Sequence, residues 1–240
     1  MKQMKLALMA LVAVFMGMTF TSCLDSDNDP TEYAYVTINN YLGYVTSMTT
    51  DNGLTLIPQN PQAMTEATGG IPFRAHVSYE LAEGEKYQNN VTEYKVYFKQ
   101  YIETFFDASM SEEPVNSLSP IMGLGRIWCS VSGYLNIESA FYTDKNISDR
   151  DFGLFVKEVK DNTIHFKMVL NKEIEKSSAY SAKVVSFLLE DQDWFESTYS
   201  ELSADKDGYY NAILEIDTLD ESSKEIEFKT ESFKIIIPKK

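Results

Sequence analysis

Cysteine is nearly absent from this 240-residue chain: it occurs at Cys23 and Cys129 and nowhere else. Basic side chains are also scarce, 21 against 36 acidic ones, and there are two histidines, His76 and His165. Each shortage excludes a class of function. If Cys23 is consumed at the N-terminus, Cys129 has no intrachain partner, so a disulfide framework is excluded, as is a cysteine-rich zinc site. The acidic excess repels phosphate backbones and anionic head groups, which argues against nucleic acid or peripheral lipid as the main partner. The chain contains no G-x-S-x-G turn, no H-E-x-x-H and no glycine-rich phosphate loop. Gly123-Leu124-Gly125 is an isolated glycine pair with no helix expected after it, and no internal repeat emerges.

One long apolar run is present, and it lies at the start. Met1–Lys5 carries two lysines, Leu6–Phe20 is apolar, and Thr21-Ser22-Cys23 leads into the acidic Leu24–Asp29. The run has the length of an export signal rather than of a membrane span. Small residues stand where a peptidase must close on the backbone, so Cys23 is the expected lipid-attachment residue and the first residue of the mature chain, carrying acyl chains such as palmitate. Phe20 stands where a lipoprotein signal most often has leucine, in a pocket that is apolar in either case. A plain secretory signal cut near Ser22 and an uncleaved anchor are the rival readings. The mature chain then has 19 basic and 36 acidic residues, a formal charge of −17. Such a surface suits cations, neutral glycans or a protein with a basic face.

Period-two alternation runs through the remainder and predicts an all-β chain. The expected division is a signal over 1–22, an acidic tether over 23–32, a small barrel of the OB type over 33–108, a linker over 109–119 and an antiparallel β-sandwich over 120–240. In the first domain Ala34, Val36 and Ile38 oppose Tyr33, Tyr35 and Thr37. Asp51-Asn52-Gly53 is a hairpin signal, Ala75, Val77 and Tyr79 oppose Arg74, His76 and Ser78, and Tyr94, Val96 and Phe98 form a fifth strand. Five short strands in some 75 residues suit a closed barrel, which leaves few free edges. In the second domain Leu135, Ile137 and Phe141 share a face, and so do Ile164, Phe166, Met168 and Leu170. Val184–Leu189 is a central strand, and 226–228 with 233–237 forms a terminal hairpin. The segment 193–202 is a short helix or a loop.

Candidate site residues are few. Tyr33, Tyr35 and Tyr41 can stack a sugar, although tyrosine is also simply a good strand former. Cys129 shares a strand face with Ile127 and Val131, which predicts a buried, inert thiol. Each histidine falls on the polar side of its strand with no ligand partner nearby in sequence, which predicts ordinary surface histidines. The acidic stretch 190–208 contains Asp205-Lys206-Asp207-Gly208 but no closing Glu, so it reads as a solvated loop before it reads as a cation site. No catalytic, cofactor or metal-binding residue is assigned. A paired-carboxylate glycan hydrolase is the enzymatic alternative, since its two acids need meet only in space.

Several segments carry a resemblance: CLDSDND after the lipidated cysteine, YVTINNYLGYVTSMTTDNGLTLIP, FRAHVSYEL, YKVYFKQYI and above all SGYLNIESAFY. Together they resemble the NigD-like lipoproteins of the Bacteroidetes, across most of residues 23–190. The chain departs from the family pattern at Ala75 and His76 and after Asp191. The resemblance implies an N-terminal OB domain, a C-terminal β-sandwich and lipid anchorage at the outer membrane, facing the cell surface or the periplasm. It implies no catalytic residue. The expectation is therefore a non-enzymatic envelope lipoprotein that binds or assembles with an envelope protein, with surface glycan binding as the alternative.

Overall fold

The computed structural model describes residues 31–240 apart from 68–69, 143–145, 176–179, 221 and 240. The expected signal, most of the acidic tether and Cys23 lie outside the described residues. What is described is one compact unit, almost entirely β.

Strands β1 (Glu32–Tyr41), β2 (Tyr44–Thr50), β3 (Thr55–Pro58), β4 (Arg74–Leu81) and β5 (Glu93–Thr104) close a barrel in the order β1-β2-β3-β5-β4. All neighbours are antiparallel except β3 and β5. Parallel neighbours need a crossover, and here helix α1 (Pro61–Glu66) and β4 supply it. Pro61 starts the helix, where its missing N–H costs nothing, and Met64 seals the barrel core. Val36, Ile38, Met48, Leu56, Ala75, Val77, Val96 and Phe98 fill the interior. These are the inward positions that the alternation specifies.

The second part consists of two open sheets. One has the order β6-β11-β8-β7, from β6 (Phe106–Ser109), β7 (Gly123–Cys129), β8 (Tyr134–Tyr142) and β11 (Tyr180–Leu188). The other has the order β13-β12-β10-β9, from β9 (Phe152–Lys160), β10 (Thr163–Leu170), β12 (Tyr210–Leu219) and β13 (Glu225–Lys229), with β14 (Phe233–Ile235) also beside β12. Leu135, Ile137, Phe141 and Phe187 of the first sheet share one core with Leu154, Phe166, Met168, Leu214 and Ile216 of the second. Helix α2 (Gln192–Thr198) caps that core with Phe195, and Asp191 caps the helix by accepting a hydrogen bond from the Trp194 N–H.

The sheets are not purely antiparallel, which corrects the sequence expectation. β10 and β12 run parallel, as do β6 and β11. Each pair is separated in sequence by other strands, so each chain return has the length a parallel crossover requires. The stretch after β6 is bonded along its length: Ser111 N–H to Leu154 O, Leu118 N–H to Leu170 O, and Ile121 N–H to Asp217 O.

Candidate functional site at the junction of barrel and sheet

The junction begins with the turn after β2. Asp51 donates its backbone N–H to Tyr35 O, and its own carbonyl accepts the N–H of Val131. That geometry turns the Asp51 carboxylate between the barrel and the β7–β8 sheet. Arg74, the first residue of β4, donates to it twice, Nη1 to Oδ1 at 2.6 Å and Nη2 to Oδ2 at 3.0 Å. Trp128 of β7 donates Nε1 to Oδ2 at 2.6 Å. Arg74 also reaches Asn136 Oδ1 at 2.7 Å and Thr37 Oγ1 at 2.9 Å, and its guanidinium lies over the rings of Tyr134 and Phe105. It is wholly buried. Such a cation is tolerated only with a bidentate carboxylate and further acceptors around it. Asn136 extends the network, accepting from Ser186 Oγ and donating to Trp128 O.

Arg74 and Asn136 come from FRAHVSYEL and SGYLNIESAFY, two of the segments on which the sequence resemblance rests. Sequence alternation places Arg74 on the polar, outward side of β4. The outward direction holds, but the β7–β8 sheet covers it there.

Beside this clasp lies an aromatic cluster. Tyr35 packs against His76 at 4.5 Å between ring centroids and against Trp128 at 5.1 Å; Tyr33 reaches His76 at 6.2 Å. Arg126 of β7 lies over both Trp128, 4.0 Å from the ring centroid, and Tyr35, at 4.7 Å. The ring faces of Tyr35 and Trp128 are thus engaged by a cation, while Tyr33 is half exposed. Burial lowers the His76 pKa, and the nearby Arg126 charge lowers it further, which keeps the ring neutral. Glu103, opposite His76 on β5, is raised by burial, against the pull of Lys183 at 3.8 Å. The Glu138 carboxylate accepts the Arg126 backbone N–H at 2.9 Å.

The structure therefore brings Tyr33 and Tyr35 together around His76 and leaves Tyr41 apart, in the β1–β2 hairpin. There Tyr41 pairs with Tyr44, and both are exposed. Trp194 belongs to neither group and packs on Phe195 and Tyr199. Cys129 is partly buried against the sheet core, and burial pushes its thiol up to about 12. The strand ends there, and Val131 lies exposed beyond it.

A second ionic cluster covers the outer face of the other sheet. His165 of β10 pairs with Glu158 of β9 and bonds Glu215 of β12, Nδ1 to Oε1 at 3.1 Å. These three could present one ligand atom each to a cation. Glu215, however, is wholly buried and already bonded by Lys229 at 2.7 Å on Oε1 and by Lys157 on Oε2. Burial alone would raise its carboxyl, but the bonds from Lys157, Lys229 and His165 outweigh that and bring it down to about 2. Two ammonium groups on one carboxylate neutralise what would attract a metal ion. Sequence reasoning missed this cluster because His165 and Lys157 meet Glu215 from 50 and 58 residues away.

Two acids of the stretch 190–208, Asp205 and Glu196, are likewise engaged. Asp205 accepts the N–H groups of Asp207 and Tyr209 and pairs with Lys234, and the Lys234 bond and the Tyr209 N–H lower its carboxyl to about 2. Glu196 accepts from Gln192 and from the Tyr210 hydroxyl.

No protein-family model and no curated protein matches the chain. Solved structures match its fold. A candidate lipoprotein from Bacteroides fragilis superposes with a TM-score of 0.58 at 13% identity, over 88% of this chain and 99% of that one. A NigD-like immunity protein from Bacteroides caccae gives 0.52 at 16%, over 88% and 99%. A protein of unknown function from Bacteroides vulgatus gives 0.53 at 16%, over 84% and 90%. At these identities the likeness establishes a shared fold across barrel and sheets together.

Proposed function

We propose that this chain is a lipid-anchored, non-catalytic envelope protein of the NigD-like kind, an OB-type barrel fixed on a β-sandwich, which holds a protein partner bearing a basic face. The order β1-β2-β3-β5-β4, with a helix between β3 and β4, supports the OB reading. The export signal ending at Cys23 and a fold likeness spanning nearly the whole chain support the envelope reading. A mature charge of −17 favours a basic partner.

One observation carries the choice of binding over turnover. Three polar side chains at the junction are engaged within the chain: Asp51 takes three donors, Arg126 covers two ring faces, and Glu138 accepts a backbone N–H. A catalytic acid or base needs a free position facing substrate.

Glycan binding is the second reading. The half-exposed Tyr33 beside His76 favours it, because an open ring face is what sugar stacking requires. Calorimetry of the full-length protein against neutral envelope polysaccharides separates the two. The protein-partner reading predicts no heat and no reducing-end release. Heat lost in Tyr33→Ala replaces it with the glycan reading, and hydrolysis abolished by Glu103→Gln or Glu138→Gln replaces it with the enzyme. Outer-membrane fractionation and the mass of the mature N-terminus test anchorage separately: acyl mass on Cys23 is expected, and an unmodified N-terminus elsewhere overturns it.

A further inference from the structure

The β1–β2 hairpin combines a left-handed apolar residue with a cluster of exposed apolar side chains. Its two-residue loop, Leu42-Gly43, has φ of 51° and 83°, the left-handed pair of a mirror-image turn. Asn-Gly or Asp-Gly normally fills such a loop, since a branched apolar residue is strained there. Leu42 is also 79% exposed, and the cross-strand pair beside it, Tyr41 and Tyr44, is 70% and 73% exposed. Leu42 therefore occupies a conformation that disfavours it and buries almost nothing within the chain. Phe73, at the barrel rim where its carbonyl accepts the Ile38 N–H, adds a fourth exposed apolar side chain below the tip. Strain held at an exposed apolar residue points outside the molecule.

What covers this tip follows from charge and from the chain's beginning. The 18 residues Tyr33–Thr50 contain no charged side chain, in a mature chain of charge −17. Charged faces meet charge repulsion or charge desolvation on approaching lipid head groups; this uncharged hairpin does not. A leucine flanked by two tyrosines has the composition of an interfacial anchor, with rings at head-group level and the aliphatic residue just below. The two-residue turn makes it a convex knob, and a fluid bilayer accepts a knob without a preformed cavity. Eight residues separate Cys23 from Glu32. They extend to at most about 30 Å, similar to the length of β1, so the tip stays within reach of the bilayer that holds the lipid. Tethering makes the second contact intramolecular, so an insertion too weak to hold a free chain contributes once the tether is extended toward the barrel.

We infer that the Tyr41-Leu42-Gly43-Tyr44 tip dips into the interface of the bilayer to which the protein is anchored, a second membrane contact that fixes the orientation of the barrel. The reach argument rests on the lipid attachment proposed above. The test uses the full-length lipidated protein reconstituted in phosphatidylcholine–phosphatidylethanolamine vesicles, with a polarity-sensitive fluorescent amino acid at Tyr44 or, as control, at the exposed Lys206. Emission at position 44 should shift to the blue and be quenched by lipids spin-labelled near the head of the acyl chain, with no change at 206. Leu42→Asn should abolish both effects and leave the fold intact, because asparagine accepts the left-handed turn. Equal behaviour at 44 and 206, or a signal that survives Leu42→Asn, overturns the inference. A shift that follows protein concentration without lipid also overturns it, in favour of a second copy. A shift that needs an added envelope protein overturns it in favour of a protein pocket. If the N-terminal mass shows no acyl chains, the same labelled chain is titrated with free vesicles: insertion there supports the tip contact by itself, and its absence at saturating lipid defeats it.

Discussion

Asp51 holds Arg74 and Trp128 with the same carboxylate, joining the barrel strand β4 to the sheet strand β7 through a turn that belongs to neither. Because Arg74 is wholly buried, the pair is asymmetric in what its loss does. Removing the carboxylate strands a cation with no water to take it up, so Asp51→Ala should destabilise the protein by about 3–5 kcal/mol in urea titration. Arg74→Met in the same background should recover part of that loss, since the uncompensated charge then disappears. Equal stability of Asp51→Ala and the double variant would show that the clasp does not act as a charge pair. Trp128 fluorescence reports the same event locally, through loss of its Nε1–H bond.

Glu215 makes acid stability a property of the second sheet. Its folded carboxyl lies at about 2, below the ordinary 4.5, so its contribution is complete above about 4.5 and is lost as pH falls toward about 2. Glu215→Gln should flatten the stability profile over that window and lower stability at pH 7, where the partners Lys157 and Lys229 remain charged. Chemical denaturation at stepped pH reads this out. An unchanged slope in the variant would assign the acid sensitivity to other carboxylates.

The barrel interior was legible from alternation alone, because Val36, Ile38, Ala75, Val77, Val96 and Phe98 occupy inward positions of strands whose outward faces are polar. The clasp and the ionic face were not. Arg74 presents as a solvated charge in a strand pattern; its burial depends on Asp51, 23 residues away, and Asn136, 62 away, and such pairings leave no periodic trace. β12 was obscured in the same way. Glu215 interrupts its apolar run between Leu214 and Ile216, and only the assembled sheet shows that the acid is buried under Lys157 of β9 and Lys229 of β13. The parallel neighbours were equally hidden, since alternation gives the face of a strand and says nothing of its direction. The hairpin tip was visible as sequence, with Tyr41 already a stacking candidate, but the exposure of Leu42 was not.

His76 should titrate below the ordinary histidine value of 6.5, first because it is half-buried and second because Arg126 stands nearby. The folded state thus prefers the neutral ring: the benefit is complete above 6.5 and is lost as pH falls through the lowered folded value. NMR of the imidazole protons should locate that midpoint, and Arg126→Ala should move it part of the way back while burial retains the remainder. A midpoint at or above 6.5 in the parent protein would contradict the packing against Tyr35.

Cys129 should be chemically quiet in the folded protein, since burial pushes its thiol to about 12 and its side chain packs on the sheet core. Ellman's reagent should react far more slowly with it under native conditions than in urea. Cys129→Ala should cost about 1 kcal/mol through lost packing, with no change in binding. Labelling at the unfolded rate would mean that the β7 edge opens in solution.

The Leu42 turn makes a prediction that does not depend on what the tip touches. At φ of 51° leucine is strained, whereas asparagine adopts this geometry readily and glycine without a side-chain clash. Because the side chain is 79% exposed, little burial is lost by replacing it. Leu42→Asn should therefore raise stability in aqueous buffer by about 0.5–1 kcal/mol, read as a higher urea midpoint with unchanged m-value. Destabilisation instead would mean that Leu42 makes a contact within the chain that its exposure does not reveal, and the turn would then be an ordinary structural element. A stabilising outcome would show that the fold does not require Leu42, and the vesicle experiment then decides whether an external contact does.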